Sequence, residues 1–236
     1  MTPDEVPAGT PRGGVFAVAA GLIPRLAEQQ GPAIAAAATT LASRLMAGGT
    51  VYVFGTGHSR LVAMEMAARA GGLAGVKELA LEDLVERGQA TRAEIVDGTL
   101  ERRPEAALAL LEPVLTGSAD AFLVVSHSGR NGAPVEMAVQ AKTRGLPVVA
   151  ITSLAASRAM PSRHPSGARL FEVADLVIDT LAPYGDTAIV AAPGVGVCSI
   201  SSFAGVVIAQ ALTVEVVARY LAAGTSPPVL QSRNLP

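Results

Sequence analysis

Continuous apolar runs recur along the chain and alternate with segments of helical spacing. Residues 51–54, 121–125 and 148–151 show no polar alternation, which is typical of strands buried on both faces of a sheet. Shorter runs near 76–81 and 175–178 predict two further strands. These runs therefore indicate a mostly parallel sheet.

Helical segments separate these strands. The predicted helices cover residues 15–47 (one or two helices broken near Gly31-Pro32), 59–70, 104–116, 133–144 and 199–223. Strands that alternate with helices predict an α/β fold, a three-layer αβα sandwich of the doubly wound kind. Ligands of such folds bind outside the carboxyl ends of the strands.

The rest of the chain predicts its domain organisation. Residues 1–14 are proline-rich and predict a disordered lead-in, 15–224 a single domain, and 225–236 a C-terminal tail. The charge-dense stretch 77–105 predicts a surface excursion. Residues 187–214 carry no charge, but their proline, glycines and serines favour a strand, a glycine turn and a buried helix over a membrane span.

Composition excludes several classes of protein. Of the 236 residues, 50% are apolar and 16% are charged, which excludes a disordered chain. The net charge of −2 argues against a nucleic-acid partner. One cysteine cannot form an internal disulfide, so we expect a cytoplasmic location. Three histidines without CxxC or HExxH spacing predict no metal site.

Small hydroxylated and glycine residues follow three of the predicted strands. The loops read Gly-Thr-Gly-His-Ser, Ser-His-Ser-Gly-Arg-Asn and Thr-Ser. Glycines let a ligand approach the backbone, and the following helices begin with free N–H groups, so a phosphate ester is the expected guest. No nucleotide-binding signature is present. The predicted phosphate-binding residues are Gly55, Gly57, Ser59, Arg60, Ser126, His127, Ser128, Gly129, Arg130, Asn131, Thr152 and Ser153.

These three loops resemble the sugar isomerase (SIS) family of phosphosugar-binding domains over about residues 35–220. In the family's Ser-x-Ser-Gly-x-Thr phosphate loop, Asn131 stands in place of the usual Thr. The Arg-His-Pro-Ser-Gly segment at 163–167, the Tyr-Gly-Asp segment at 184–186 and the tail resemble the bacterial UPF0309-type branch. The resemblance implies a five-stranded flavodoxin-like sheet, a sugar phosphate ligand, no cofactor, and homodimers or homotetramers with shared sites.

The resemblance also directs the search for catalytic groups. Enzymes that isomerise or cleave sugar phosphates need a base for the proton α to the carbonyl and an acid for the oxygens. Glu82 ranks slightly above Glu65 as the base, with Asp83 as a further candidate; SIS enzymes carry a glutamate on the helix of Glu65, nearer the position of Arg69. His58 and His164 are the candidate acids or bases, and His164 could serve a neighbouring subunit.

The expected reaction depends on the sugar. The Ser-Gly-Arg-Asn segment followed by Pro134 resembles the N-acetylmuramic acid 6-phosphate etherases more than the phosphoheptose isomerases, which favours an amino sugar such as N-acetylglucosamine 6-phosphate. Abstraction of the α proton would then lead to loss of water, or to aldose–ketose exchange on a plain sugar. The alternative is a non-catalytic sugar phosphate sensor that acts through a partner protein.

Overall fold

The computed structural model describes residues 14–232 and 234. The strands are β1 Val51–Gly55, β2 Val76–Leu79, β3 Ala121–Val125, β4 Val148–Thr152, β5 Leu176–Asp179, β6 Thr187–Ala192 and β7 Val195–Ser199. The helices are α1 Gly14–Met46, α2 Arg60–Met66, α3 Glu82–Glu86, α4 Arg92–Val96, α5 Pro104–Leu111, α6 Gly132–Thr143, α7 Leu154–Ala159, α8 Leu170–Val173 and α9 Ser201–Ala222. Two short 3₁₀ turns, Gly57–Ser59 and Leu100–Arg102, lie beside the strand ends.

Five strands form a parallel sheet in the order β2-β1-β3-β4-β5. Successive side chains of each central strand enter opposite cores: Val53 and Leu123 pack under α1 and α9, whereas Phe54 and Phe122 pack under α5 and α6. Both faces of the sheet are covered, so the predicted three-layer αβα sandwich with a flavodoxin-like sheet is confirmed.

The predicted break near Gly31-Pro32 is wrong. α1 is one continuous helix that contains both Pro24 and Pro32. A proline removes one backbone hydrogen bond from a helix, but buried apolar side chains on both sides of Pro32, such as Leu26 and Ile34, pack into the same core. Tertiary packing thus outweighs the local cost.

The excursion at 77–105 contains more structure than its charge predicts. It includes the edge strand β2, the helices α3 and α4 and a 3₁₀ turn, and it buries Leu81, Leu84 and Leu100. It therefore forms a wall beside the strand ends.

The predicted lead-in and the predicted tail differ in how far the structure describes them. Residues 1–13 of the predicted lead-in lie outside the described residues. Part of the predicted tail pairs with the loop before β2, through bonds from the Ala74 N–H to the Pro228 oxygen and from the Leu230 N–H to the Gly72 oxygen. This part of the predicted tail is therefore hydrogen-bonded to the domain.

The uncharged segment before Glu215 forms two strands, where one was predicted. β6 and β7 pair as an antiparallel hairpin that turns at Gly194, and α9 follows. α9 is long and apolar enough to cross a membrane by length and composition alone, but one of its faces packs against α1 and α2. Its buried residues, including Ile208, Leu212 and Val216, identify it as a core helix.

Candidate functional site

The loops after β1 and β3 lie side by side at the carboxyl edge of the sheet. These strands are neighbours in the sheet, and Gly55 pairs with Val125 at their ends. The chain crosses from one half of the sheet to the other between them, which is where flavodoxin-like folds bind ligands. The sheet order therefore places two of the predicted phosphate loops at one crevice.

The loop after β1 forms a tight turn that opens onto a cavity. A Cβ at Gly55 would lie 2.5 Å from the carbonyl oxygen of Ser59, and Gly57 has a φ of +53°, so the turn requires both glycines. The cavity has a volume of about 500 Å³. Gly57, His58 and Arg60 line one side, and Glu82 and Glu101 line another. This volume falls within the usual range for small-molecule sites.

The loop after β3 is closely packed and leads into α6. The Ser126 hydroxyl accepts a hydrogen bond from the Gly129 N–H at 3.2 Å. Gly129 has a φ of +59°, and a Cβ there would lie 2.7 Å from the Ser157 hydroxyl and 2.8 Å from the Thr152 hydroxyl. Only glycine fits this position. The first N–H groups of α6 have no acceptor within the helix and face the end of this loop.

Thr152 and Ser153 hold the loops together, which corrects their predicted role as phosphate ligands. Both side chains are fully buried. Thr152 donates to the carbonyl oxygen of His127 at 3.2 Å. Ser153 donates to the carbonyl oxygen of Ala182 at 2.6 Å and caps α7 by accepting from the Ala156 N–H. Their hydroxyl groups are already engaged in the chain.

Glu101 is the functional candidate that the sequence analysis missed. Its carboxylate accepts hydrogen bonds from the Thr56 hydroxyl at 2.7 Å and from the Asn131 amide nitrogen at 2.6 Å. One side chain thus bridges the loops after β1 and β3 above the crevice. Asn131, predicted to donate to phosphate, donates here to a carboxylate, and its oxygen accepts from Arg163. The Glu101 carboxylate thus accepts hydrogen bonds from donors of the kind that would bind the anionic group of a ligand.

Glu82 also faces the cavity, but it is paired with Arg60. Arg60 lies 2.9 Å from Glu82 and 2.7 Å from Glu78. The hydrogen bond that Arg60 donates to the Glu78 carboxylate raises the pKa of Arg60. Two carboxylates therefore balance the guanidinium that was predicted to clamp a phosphate. Asp83 accepts from the Ala80 N–H at the start of α3.

Glu65 lies apart from this crevice. It forms an ion pair with Arg69, which lies four residues later and beyond the end of α2, and it accepts a hydrogen bond from Gln210 of α9. It does not line the cavity beside His58. Glu65 thus lies between α2 and α9, away from the cavity, so we keep it ranked below Glu82 as a predicted base.

The three histidines have different environments. His58 is exposed and lines the cavity. The Nδ1 atom of His127 is buried without a hydrogen-bond partner in the described part of the chain, and burial lowers the pKa of this ring against the opposing charges of Asp186 and Asp179. His127 faces a small cavity that Ser59 and Ser201 also line.

His164 is fully engaged within its own chain. Its Nε2 lies 2.6 Å from the Glu136 carboxylate of α6, and its Nδ1 lies 2.8 Å from the Ser166 hydroxyl. Its side chain is only 7% exposed. These contacts fix the 160–169 loop against α6, and the acid or base role of His164 stays a prediction.

Among residues 14–232 and 234, no group of three or more His, Cys, Asp or Glu side chains lies close enough together to hold a metal ion. The crevice instead presents hydroxyl groups, helix N-termini and carboxylates. Such an arrangement can bind an anionic ester and place a carboxylate next to it.

Comparison with known proteins defines the class of this chain. Residues 16–153 match the SIS domain family, and the chain belongs to it. The predicted resemblance is therefore confirmed.

Similarity along the whole chain narrows the family further. The chain is 35% identical to the UPF0309 protein BH3325 of Halalkalibacterium halodurans over 91% of this chain and 87% of that protein. It therefore belongs to the UPF0309 branch, as the segments 163–167 and 184–186 predicted.

Two solved structures share the fold at low identity. A phosphoheptose isomerase from Francisella tularensis superposes with a TM-score of 0.60 at 17% identity, covering 86% of this chain and 95% of that one. The NanR protein of Vibrio vulnificus, complexed with ManNAc-6P, superposes with a TM-score of 0.52 at 14% identity, covering 92% and 66%. The same fold thus occurs in an isomerase and in a protein that binds an amino sugar phosphate.

Proposed function

We propose that this chain is a phosphosugar enzyme that removes the proton α to the carbonyl of a ring-opened amino sugar 6-phosphate, such as N-acetylglucosamine 6-phosphate. The observation that carries the proposal is the position of Glu101. Its carboxylate bridges two phosphate-type loops at the point where the sheet order reverses. Family membership supports a sugar phosphate as the ligand.

The substrate phosphate is proposed to lie against the loop after β3. Its oxygens would accept from the Ser128 hydroxyl and from the first N–H groups of α6. The sugar then extends towards the cavity beside β1, where His58, Glu82 and Glu101 are exposed to it.

Glu101 is proposed as the base. Each carboxylate oxygen already accepts one hydrogen bond and retains a lone pair for a proton. The hydrogen bonds from Thr56 and Asn131 fix its orientation, which is the requirement for efficient proton transfer. The C2 proton passes to the carboxylate, and the electron pair of the C–H bond forms an enolate with the C1 carbonyl.

The fate of the enolate depends on the substituent at C2. With an acetamido group at C2, the enolate electrons re-form the carbonyl and expel the C3 oxygen. An acid must protonate this leaving group, so that water is lost; Glu82 and His58, both on the cavity wall, are the candidates. On a plain aldose phosphate, a proton moves from O2 to O1 and the base returns its proton to C1, which gives the ketose. We propose loss of water as the main reaction and isomerisation as the next alternative.

Proton NMR in deuterated water tests this proposal. The protein is mixed with N-acetylglucosamine 6-phosphate, glucosamine 6-phosphate or fructose 6-phosphate. We expect loss of the C2 proton signal (C1 for fructose) with the first substrate most rapid, and the product distinguishes a lyase from an isomerase. Saturable binding without any exchange would contradict catalysis and favour a sensor. The sensor is the alternative function, because NanR complexed with ManNAc-6P shares this fold.

We further propose a cytoplasmic homodimer or homotetramer with shared sites. Large apolar side chains are exposed on α1 and on the β6–β7 hairpin, where Phe16 is 77% and Val190 is 78% exposed. Contiguous exposed apolar surface is typical of subunit interfaces. Light scattering after gel filtration tests the assembly, and a monomeric mass would contradict it.

A further inference from the structure

Three separate segments bring one arginine each to the start of α6. Arg130 lies in the loop after β3, and the N–H of Arg163 donates to the carbonyl oxygen of Arg130 at 2.8 Å. Arg102 ends a 3₁₀ turn whose backbone touches the helix, since a Cβ at Gly132 would lie 2.2 Å from the Arg102 carbonyl oxygen. The backbone contacts therefore fix the origin of all three side chains.

These three arginines have no carboxylate partner among residues 14–232 and 234. In the described part of the chain, none of them lies within 4.0 Å of an acidic group, whereas other arginines form ion pairs: Arg60, Arg69, Arg103, Arg169 and Arg219. Arg163 donates to the Asn131 side-chain oxygen at 2.9 Å, and Arg130 contacts the sulfur of Met160. The Nε of Arg130 is buried and has no hydrogen-bond partner among the residues that the structure describes.

The positive charges at this corner repel one another. Burial lowers the pKa of Arg163, and the charges of Arg130 and Arg102 lower it further, against the attraction of Glu101. The charge of Asp97 also attracts Arg102. The Glu101 carboxylate is held by Thr56 and Asn131, so it leaves the guanidinium donors unfilled. The N-terminal dipole of α6, a helix of 12 residues, adds to the positive potential.

The 160–169 loop is built to hold Arg163 in place. The next residue, His164, is fixed to Glu136 of α6, and Ser162 donates to the Ala168 carbonyl oxygen. Leu170 then donates its N–H to the Gly129 carbonyl oxygen. A flexible side chain loses less entropy on binding when its backbone is fixed in this way.

We propose that Arg102, Arg130 and Arg163 form a second anion site beside the phosphate loop, which binds a second phosphate or a carboxylate of the sugar substrate. This inference rests on the proposed function and deepens it, since it predicts that a sugar phosphate with a second anionic group binds more tightly than a monophosphate such as N-acetylglucosamine 6-phosphate. The amide of Asn131 separates the two regions, because its nitrogen faces Glu101 and its oxygen faces Arg163. Arginine is suited to the second group because its planar donors match both kinds of anion.

Calorimetry with matched ligands tests the substrate class. Fructose 1,6-bisphosphate is compared with fructose 6-phosphate, and gluconate 6-phosphate with glucitol 6-phosphate, so that the two pairs distinguish a phosphate from a carboxylate. We expect the doubly anionic member of at least one pair to bind about tenfold more tightly. Arg163→Gln and Arg102→Gln should abolish the preference and leave the affinity for the monophosphate unchanged.

The matched control is Arg158→Gln, which makes the same change in charge at an exposed arginine stacked on Phe171. It should retain the preference. Equal affinities within both pairs would overturn the proposal. Equal loss of monophosphate binding in Arg163→Gln would also overturn it, because the arginines would then hold the first phosphate.

NMR of the arginine Nε–H signals tests the site independently of any sugar. Inorganic phosphate is titrated into the intact protein, with assignments from the three single glutamine variants. We expect the three signals to shift along one saturation curve that persists in Ser128→Ala. Unchanged signals would overturn the anion site, whereas saturation without binding of any sugar phosphate would keep the anion site and contradict the proposed function.

Discussion

The loops after β1 and β3 have similar compositions but opposite environments. The β1 loop exposes Gly57 and His58 to a cavity of about 500 Å³. The β3 loop is packed against Thr152, Ser157 and the 160–169 loop, and its backbone is fixed at Gly129. This difference suggests a division of labour in which the rigid loop holds the anion and the open loop borders the reacting part of the substrate. Glu101 joins the two.

The largest expected effect comes from the group that joins the loops. In Glu101→Gln the side-chain oxygen still accepts from the Asn131 amide nitrogen, and the new amide nitrogen donates to the Thr56 hydroxyl, which can accept. The base is lost, so we expect kcat to fall by about 10²- to 10⁴-fold. Glu65→Gln is the matched control, because Glu65 is paired with Arg69 away from the cavity, and it should stay within about threefold of wild type. Isotope exchange at C2 measures both, and equal losses in the two variants would contradict the assignment.

The rigidity of the β3 loop predicts a large loss of stability in Gly129→Ala. The alanine must adopt a left-handed backbone conformation, and its Cβ lies too close to two buried hydroxyl groups. We therefore expect a loss of about 2–4 kcal/mol in the free energy of unfolding. Gly145→Ala has a similar φ of +72° with open space around the Cβ, and should cost only about 1 kcal/mol. Urea unfolding gives both values, and similar losses would mean that the loop is not tightly packed.

Two serines separate binding from packing. Ser128 is half-exposed in the phosphate loop, whereas Ser153 is fully buried and caps α7. We expect Ser128→Ala to raise KM about tenfold with unchanged stability, and Ser153→Ala to lose about 1–2 kcal/mol of stability with an unchanged KM. Kinetics and urea unfolding of the pair provide the comparison. A raised KM in Ser153→Ala together with a loss of stability in Ser128→Ala would contradict the assignment of phosphate binding to Ser128.

The smallest effect concerns pH. The folded-state pKa of His127 lies below the ordinary value of 6.5 because the ring is buried, so the unfolded chain binds the proton more readily. Stability is therefore complete above about pH 6.5 and decreases as the pH falls below it, with a slope of at most about 1.4 kcal/mol per pH unit. His127→Gln should flatten the profile between pH 6.5 and 5. Retention of the full slope in this variant would assign it to another group.

The sequence predicts the sheet well because unalternating apolar strands such as 121–125 have a single stable placement between two layers. The sequence also predicts the two glycine loops. In the structure, Gly57 and Gly129 have positive φ angles, which glycine adopts without strain. Glu101 is hidden because it lies in a stretch where many residues are charged, and no local pattern shows which carboxylate faces inward. Only the fold of the 3₁₀ turn at Leu100–Arg102 singles it out.

The positions whose structural contacts the sequence does not predict share one cause. A polar residue at a strand end can face a ligand or satisfy the backbone, and for Ser153 the deciding partner is Ala182, far along the chain. The partner of His164 is Glu136, which lies 28 positions earlier. α1 likewise continues through Pro32 because of packing that the local sequence does not reveal. Long-range contacts decide each of these positions.

The central claim is that the rigid loop holds the phosphate while Glu101 faces the carbon that reacts. A crystal structure of the Glu101→Gln variant with N-acetylglucosamine 6-phosphate tests it most directly. The account predicts the phosphate against Ser128 and the start of α6, with C2 of the opened sugar within about 3–3.5 Å of the side chain at position 101. A phosphate bound elsewhere, or C2 turned away from position 101, would contradict it.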